Sequence, residues 1–220
     1  MRKETRKYHF SVEGETEKWY FDWLQRMINS ADESKYNVKL DSKVQKDPCA
    51  HVKGITLVGK TEIIHVFDRE SEELVHTERF QRTLERMKRA ESLGKKIKYR
   101  LGYSNFTFEL WIILHKADCN GGKNRCKEYL SDLNKAYNER FESLDKYKEE
   151  KNFKQILEKL TIADVIAAVE RAKAITERNE KNGYQLEKYK GYCFYKENPA
   201  LSIGEIVGEI LKECGIIREK

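Results

Sequence analysis

The chain has 220 residues, in which lysine and arginine outnumber aspartate and glutamate by 43 to 37. This length suits one sizeable α/β domain, with or without a helical extension, and is enough to bury a core. The net charge of +6 favours anionic partners without requiring them. No apolar run approaches the roughly 20 residues of a membrane-spanning helix, and the N-terminus lacks the apolar segment of a signal peptide. We therefore expect a cytoplasmic protein that does not enter a membrane.

The first half of the sequence alternates between strand-like and helix-like segments. Apolar patterning predicts strands over residues 8–12, 36–44, 63–67 and 97–103, and helices over residues 19–27 and 83–93. The third strand is continuously apolar, which is typical of a strand buried on both faces. The alternation predicts an α/β core over residues 1–120, with a mostly parallel sheet flanked by helices.

The second half has a different composition. After Asn120-Gly-Gly122 it is rich in lysine and glutamate and has an almost wholly helical pattern. We expect residues 121–220 to form a helical extension packed on the core in one compact unit. Thr161-Ile-Ala-Asp164 and Ser202-Ile-Gly-Glu205 have the spacing of helix capping boxes. After the second box, an apolar stripe predicts core positions at Ile206, Val207, Ile210 and Leu211.

The cysteines and one histidine offer little chemistry. The five cysteines are odd in number and contain no CxxC pair, so reduced thiols are expected. His115, Cys119 and Cys126 are conceivable zinc ligands, but their spacing matches no usual pattern and no fourth ligand is evident. His115 is better explained as a core histidine.

Two groups of acidic residues follow the first and third predicted strands. Glu13 and Glu17 lie in Phe10-Ser-Val-Glu-Gly-Glu-Thr-Glu17, and Asp68 and Glu70 lie in Ile63-Ile-His-Val-Phe-Asp-Arg-Glu70. Carboxyl ends of parallel strands meet at one edge of a sheet, where ligand crevices form. Four carboxylates gathered there would repel one another without a cation, and oxygen ligands suit magnesium, manganese or calcium. The pattern predicts a metal-dependent site that acts on phosphate.

Each acidic segment also has a structural interpretation. Glu17 could occupy the first turn of a helix, where the helix dipole favours acids, and Asp68 could cap the residues after it. A third segment begins at Ser104, after the fourth strand, and contains Glu109 among apolar neighbours. A carboxylate drawn inward there would need a cation or a partner. The alternative is a glutamate exposed on the outer helix face.

Four segments, taken in this order, resemble the RloB family. They are Val12-Glu-Gly-Glu-Thr-Glu17 with the aromatic-bearing helix after it, Val66-Phe-Asp-Arg-Glu70, Ser104-Asn-Phe-Thr-Phe-Glu-Leu-Trp-Ile-Ile-Leu-His115 and Glu197-Asn-Pro199. The resemblance spans nearly the whole chain, and the third segment is its most specific part. RloB-like proteins are similar to Toprim-fold nucleases and occur in bacterial and archaeal restriction or abortive-infection loci, often beside an ABC-type or AAA-type ATPase.

The resemblance implies roles for particular residues. Glu13 corresponds to the Toprim acid or base, and Asp68 with Glu70 to the Asp-x-Asp pair that binds magnesium. Toprim nucleases of the overcoming-lysogenization-defect type add positions that correspond to Glu17, Ser104 and Glu109. The resemblance thus implies catalytic roles for Glu13, Glu17 and Asp68. It also implies that six residues are metal ligands: Glu13, Glu17, Asp68, Glu70, Ser104 and Glu109. Two departures are Asp-Arg-Glu in place of Asp-x-Asp, and Phe106 where proline is common.

Together these features predict a Mg²⁺- or Mn²⁺-dependent nuclease. We expect it to hydrolyse DNA or RNA, with tRNA among the candidate substrates, as an effector of anti-phage defence beside an ATPase encoded nearby. Arg69 and Lys123 are candidates to bind the substrate phosphate. The alternatives are a non-catalytic adaptor of the ATPase and a nucleotide-processing enzyme that uses the same cation site.

Aromatic residues could contribute to binding, whichever of these three functions the protein has. We expect Trp19, Trp23 and the tyrosines of residues 184–195 to be exposed. The tyrosines could contact stacked bases, or their region could be a solvated face or a docking surface for a partner. All of these aromatic residues could also serve the interface of a homo-oligomer.

Overall fold

The computed structural model describes residues 3–56, 59–119, 121–123 and 125–218, so Asn120 of the predicted boundary lies outside the described residues. The strands are β1 (Thr5–Val12), β2 (Asn37–Val44), β3 (Thr61–Asp68), β4 (Ile97–Asn105), β5 (Leu186–Tyr189), β6 (Tyr192–Tyr195) and β7 (Ala200–Leu201). The helices are α1 (Glu15–Ser30), α2 (Pro48–Gly54), α3 (Leu74–Ala90), α4 (Glu109–Leu114), α5 (Tyr129–Tyr137), α6 (Leu144–Lys148), α7 (Glu150–Glu158), α8 (Ile162–Lys181) and α9 (Ile203–Glu213).

Five strands form the main sheet, in the order β2-β1-β3-β4-β7. Strands β1 to β4 pair in parallel, whereas β7 is antiparallel to β4. The predicted α/β fold with a mostly parallel, helix-flanked sheet is therefore confirmed. From β1 the chain moves to one side to form β2, then crosses to the other side to form β3 and β4. The direction of winding thus reverses between β1 and β3.

Both faces of the sheet are buried, in two separate cores. Ile64 and Val66 of β3 belong to the core that includes α1 and α4 to α9, whereas Ile63 and Phe67 belong to the core beneath α2 and α3. This alternation explains why β3 is continuously apolar in sequence. The first core joins residues from both sides of position 120. The division into two regions at that position stays a prediction.

Helix α3 begins at Leu74, well before the predicted start at residue 83. Its buried face consists of Phe80, Leu84, Met87 and Ala90. The first turn presents Leu74 and Val75 to solvent, with 73% and 61% of their surfaces exposed. Apolar residues on the outer face disrupt the amphipathic pattern, which hides the true start of the helix.

The sequence suggested an almost wholly helical second half, but this half of the chain also contains strands. Strands β5 and β6 form an antiparallel hairpin whose turn, Lys190 and Gly191, has positive φ at both positions (51° and 93°). Positive φ at both central residues is the geometry of the tight turn that suits twisted hairpins. Lysine is an unusual first residue for such a turn, so the turn signal was missed.

The two predicted capping boxes have different outcomes. Thr161 and Asp164 form a complete capping box at the start of α8. Ser202 makes no cap hydrogen bond. Its hydroxyl instead donates to the Leu101 carbonyl at 2.9 Å and accepts the Tyr103 N–H at 3.0 Å, so it fastens the start of α9 to β4. The four residues of the predicted apolar stripe on α9 are buried, as expected.

Most of the aromatic residues expected at the surface are not there. Trp23, Tyr192 and Tyr195 are buried, and Trp19 is half-buried against Phe153 of α7. These rings supply apolar area to the two cores, so the prediction that they are exposed was wrong. The structure contains no helix, among the residues it describes, with the length and apolar character needed to span a membrane.

The contact between α8 and α9 depends on a glycine. A Cβ atom at Gly204 would lie 2.4 Å from the Cβ of Ala172. We expect Gly204→Ala to lower the free energy of unfolding by about 1–3 kcal/mol, because the added methyl group overpacks the contact. Urea unfolding followed by circular dichroism measures this loss.

The matched control is the double variant Gly204→Ala/Ala172→Gly. It removes the close approach and should recover part of the loss, although glycine in α8 itself costs about 1 kcal/mol. A loss in the double variant equal to the sum of the losses in the two single variants would contradict the packing explanation.

Candidate functional site

The acidic segments converge where the winding of the sheet reverses. Glu13 follows β1 and Asp68 ends β3, and these two strands are direct neighbours. The Asp68 N–H lies 3.4 Å from Glu13 Oε2 and donates to it. Crevices outside the carboxyl ends of parallel strands form at such a reversal point, which makes it the expected ligand site of this fold class.

Three acidic side chains, Glu17, Asp68 and Glu109, form what we call the inner carboxylates. Glu17 lies in the first turn of α1 and Glu109 opens α4, with 6% and 0% of their surfaces exposed. The Thr16 hydroxyl donates to Glu17 Oε2 at 3.0 Å, and the Phe108 N–H donates to Asp68 Oδ2 at 3.1 Å. The first turn of a helix explains the position of Glu17 but not its burial.

Burial sets the electrostatics of this group. It raises the pKa of Asp68 well above its ordinary value, and the charges of Glu17 and Glu109 raise that pKa further. The pKa of Glu17 is raised for the same two reasons, burial first and then the Glu109 charge. Carboxylates in such surroundings need a compensating cation, since an unpaired buried charge is very costly.

Lys148, at the end of α6, supplies that charge in this structure. Its Nζ lies 3.2 Å from Glu109 Oε1, although 40% of the side-chain surface remains exposed. Burial lowers the Lys148 pKa, but the charges of Glu109, Asp68 and Glu17 outweigh burial and raise it overall. Sequence reasoning missed this residue because it lies in an ordinary charge-rich stretch. The one available signal was that a buried Glu109 must have a cation.

Glu13 and Glu70, which we call the outer carboxylates, meet other cations. Arg79 of α3 places Nη1 2.6 Å from Glu70 Oε1 and Nη2 3.8 Å from Glu13 Oε1. His76 Nε2 lies 3.3 Å from Glu70 Oε2. Burial raises the pKa of Glu13, and the charge of Arg79 partly offsets that rise. Asp68 and Glu70 therefore contact different neighbours, although one residue separates them in sequence.

Ser104 lies beside Asp68 in the register of β3 and β4. It is buried, and its Oγ has no hydrogen-bond partner among the described residues. Glu109 Oε1 likewise accepts no well-formed hydrogen bond, despite its contact with Lys148. Two oxygen atoms at the centre of the site thus retain capacity to bind a further group.

These oxygen donors suit a hard cation such as magnesium. Within the described ranges, however, no three histidine, cysteine, aspartate or glutamate side chains are grouped closely enough to hold a metal ion. The inner carboxylates are spaced as a cluster whose negative charge is compensated by Lys148. The chemistry of the donor set therefore fits magnesium, while its arrangement here is not a ready-made metal site.

The two residues expected to bind substrate phosphate have partners other than the inner and outer carboxylates. Arg69 is buried and its guanidinium donates to the Lys196 carbonyl. Lys123 pairs with Asp132 at 2.6 Å and lies over the Tyr129 ring. Neither cation contacts an inner or outer carboxylate among the described residues, and their substrate-binding role stays a prediction.

The conceivable zinc ligands have separate partners. His115 lies in the core, as expected, with its ring nitrogens 3.1 Å from the Tyr20 hydroxyl and 2.9 Å from the Trp111 carbonyl. Cys119 contacts Asp132, and Cys126 donates to main-chain carbonyls. Both thiols are free. These surroundings are those of core residues and ordinary reduced cysteines.

One consensus was missed in the sequence. Residues 54–61, Gly-Ile-Thr-Leu-Val-Gly-Lys-Thr, match the GxxxxGK[ST] pattern of nucleotide-binding P-loops. A P-loop joins a strand to a following helix, whose N-terminus binds phosphate. Here Gly54 ends α2 and Thr61 begins β3, at the end of that strand opposite Asp68. Residues 57 and 58 lie outside the described ranges. The order of elements gives this match no support as a nucleotide site.

The raised pKa of Asp68 leads to a prediction about stability. Above its ordinary pKa of 3.8, ionisation of Asp68 favours the unfolded state, and the cost grows until the pH passes the folded-state pKa. Asp68→Asn keeps an oxygen that can accept the Phe108 N–H but removes the charge. In chelator at neutral pH, we expect the variant to be more stable by about 1 kcal/mol, a Tm rise of roughly 2–4 °C.

Thermal unfolding of both proteins across a pH series measures this difference. The gain should shrink as the pH falls below the folded-state pKa and vanish below pH 3.8, where Asp68 is protonated in the unfolded chain as well as in the folded one. An Asp68→Asn variant that is less stable than wild type at every pH would contradict the interpretation that the Asp68 charge is destabilising.

One of the comparisons with known proteins agrees with the resemblance seen in the sequence. No curated protein and no solved structure matches the chain. A family model described as RloB-like protein matches residues 10–210, which include every inner and outer carboxylate and Lys148. With nearly the whole chain matched, the protein belongs to the RloB-like family.

Proposed function

We propose that this protein is a divalent-metal-dependent nuclease that hydrolyses phosphodiester bonds in DNA or RNA. The observation that carries the proposal is the set of inner carboxylates at the reversal point of the sheet, where the pKa values of Asp68 and Glu17 are raised and Lys148 is the cation in contact with Glu109. Acids with raised pKa values in a crevice at the carboxyl ends of strands are typical of active sites.

In this proposal the inner carboxylates and Ser104 hold one magnesium or manganese ion, and the outer carboxylates, Glu13 and Glu70, are ligands of a second. The bound metals would activate a water molecule and stabilise the leaving oxygen of the phosphodiester. The Phe108 N–H and the Thr16 hydroxyl orient Asp68 and Glu17 through the hydrogen bonds described above. Glu13 lies at the rim of the site with a raised pKa, which suits it to take a proton from water.

Lys148 has two tasks in this scheme. Its ammonium group holds the inner carboxylates together before metal binds, since it lies 3.2 Å from Glu109 and interacts with Asp68 and Glu17. During hydrolysis the same group can offset negative charge on the phosphate. Its partly exposed side chain allows the ammonium group to reach a substrate at the edge of the sheet.

The cellular role follows from family membership and is also a proposal. RloB-like proteins occur beside ABC-type or AAA-type ATPases in defence loci, and we propose that this protein is a cytoplasmic effector of antiviral defence that works with such an ATPase. Nucleic acid is its proposed substrate, and association with a second copy of the chain is compatible with that role.

A non-catalytic adaptor of the ATPase is the second candidate. The observation that favours it is that Lys148 already compensates the inner carboxylates. In the part of the chain that the structure describes, no three acidic side chains are grouped around a metal position. In an adaptor, the acids and the lysine would form a structural ion-pair network, and divalent metal would have no effect on function.

Cleavage of a mixed panel of tRNA, single-stranded DNA, duplex DNA and plasmid separates these candidates. We expect wild type to cut at least one substrate in Mg²⁺ or Mn²⁺, and not in chelator. Glu13→Ala and Asp68→Asn should lower the rate by about 10²–10⁴, the usual contribution of a positioned acid or base. Glu15→Gln is the matched control, because Glu15 is exposed in the same first turn of α1 as Glu17.

No cleavage by wild type, repeated with the neighbouring ATPase supplied, would overturn the nuclease proposal and favour the adaptor. Cleavage of free nucleotides but not of polymers would favour a nucleotide-processing enzyme. Equal rates in wild type and both acidic variants would point to a contaminating nuclease.

Lys148 gives an independent test that does not depend on activity. We expect Lys148→Met to destabilise the metal-free protein by about 1–2 kcal/mol, less than a fully buried pair because the side chain is partly exposed. Saturating Mg²⁺ should remove most of this loss, since the metal replaces the missing charge. Thermal unfolding with and without Mg²⁺ measures both effects.

Lys146→Met is the matched control for this test. Lys146 lies on the same helix and pairs with Glu149 at the surface, so its loss should change stability little in either condition. A loss in Lys148→Met that Mg²⁺ does not reduce would contradict the view that lysine and metal compensate the same carboxylates.

A further inference from the structure

Arg79 connects the ends of two strands through the outer carboxylates. Its guanidinium lies 2.6 Å from Glu70 Oε1 and 3.8 Å from Glu13 Oε1, so it is shared between an acid after β1 and an acid after β3. Half of the Arg79 side chain, 51%, is exposed to solvent. It is therefore a surface cation held at the rim of the proposed active site.

The fold does not depend on this arginine. Helix α3 is fixed to the sheet by its buried residues, Phe80, Leu84, Met87 and Ala90. Ion pairs with solvent on one side contribute about 0–1 kcal/mol, because water and salt screen them. The guanidinium can thus leave the outer carboxylates without disturbing α3 or the sheet.

A metal ion and Arg79 would compete for the same oxygen atoms. Glu13 Oε1 and Glu70 Oε1 are the atoms that Arg79 contacts, and both residues are candidate metal ligands. A divalent cation at these carboxylates would repel the guanidinium. The released group would remain at the carboxyl edge of the sheet, since α3 holds its backbone in place.

A guanidinium released there is well suited to bind phosphate. Its planar N–H groups match two phosphate oxygens, and arginine stays charged at any physiological pH. The first turn of α3, one turn before Arg79, exposes Leu74 and Val75 to solvent. A nucleic-acid backbone that reaches the inner carboxylates from this side would pass Arg79.

We propose that Arg79 is an exchangeable counter-ion, which holds Glu13 and Glu70 in the metal-free protein and transfers to a phosphate of the nucleic-acid substrate when metal binds. The inference rests on the proposed nuclease function. It assigns Arg79 to substrate binding, a role that the sequence predicted for Arg69 and Lys123. Because the transfer links two binding events, metal and substrate should each tighten the binding of the other.

Arg79→Gln tests the proposal with two measurements of opposite sign. Calorimetric titration with Mg²⁺ should show metal affinity about two- to five-fold tighter than wild type, because a competing surface ion pair is gone. Binding of labelled tRNA and single-stranded and duplex oligonucleotides, in Ca²⁺ to limit cleavage, should be roughly ten-fold weaker for the preferred substrate, because a charged phosphate contact is lost. Arg79→Lys should be intermediate in both measurements.

Arg82→Gln is the matched control. Arg82 lies three residues further along α3, is exposed and makes no contact with the outer carboxylates within the described ranges. It removes the same charge, so long-range electrostatic effects on metal and substrate binding should appear equally in both variants. Only the excess change in Arg79→Gln measures the exchange.

The possible results are distinguishable. Metal affinity that is unchanged or weaker in Arg79→Gln, or substrate affinity equal to that of Arg82→Gln, would overturn the exchange proposal while leaving the nuclease proposal intact. Wild type that binds Mg²⁺ but none of the nucleic acids would overturn the assignment of Arg79 to substrate. Wild type that binds no divalent cation would overturn the nuclease proposal as well.

Discussion

Carboxylates removed from water must be compensated by positive charge, and this requirement organises the carboxyl edge of the sheet. The parallel strands bring Asp68 towards Glu17 and Glu109, while burial raises the pKa of Asp68 and Glu17. The polypeptide itself supplies the charge: Lys148 of α6 compensates the inner carboxylates, and Arg79 of α3 compensates the outer ones. The second half of the chain is therefore part of the site, because without α6 the inner carboxylates would lack their lysine.

The two compensating cations differ in how firmly the structure holds them. Lys148 extends to a carboxylate with no exposed surface, and three acidic charges favour its ammonium form. Arg79 bridges two carboxylates that are themselves partly exposed, with water on one side. Exchange with another cation should thus be easier at the outer carboxylates than at the inner ones. If Arg79 exchanges while Lys148 stays in place, the inner carboxylates keep a compensating charge throughout the exchange.

The fold and the acidic residues were largely predictable from the sequence, because both depend on local patterns. The continuous apolar run of β3 indicates burial on both faces, and acids at the strand ends follow directly from strand position. Glu109 could be assigned to the interior from its apolar neighbours. The partners of these acids were not predictable. Lys148 and Arg79 resemble any surface lysine or arginine until the tertiary structure places them beside a carboxylate. The Lys190-Gly191 turn and the bond from Ser202 to β4 were missed because their sequences lack the usual signals.

Topology also decides what a short motif means. The GxxxxGK[ST] match of residues 54–61 joins a helix to a strand, so it lacks the helix N-terminus that binds phosphate in P-loops. The Asp68-Arg-Glu70 motif shows the converse. Its departure from Asp-x-Asp lengthens the second arm, and Glu70 extends to His76 and Arg79 on α3, while Asp68 stays with the inner carboxylates. One short motif thus supplies an acid to each of the two groups of carboxylates.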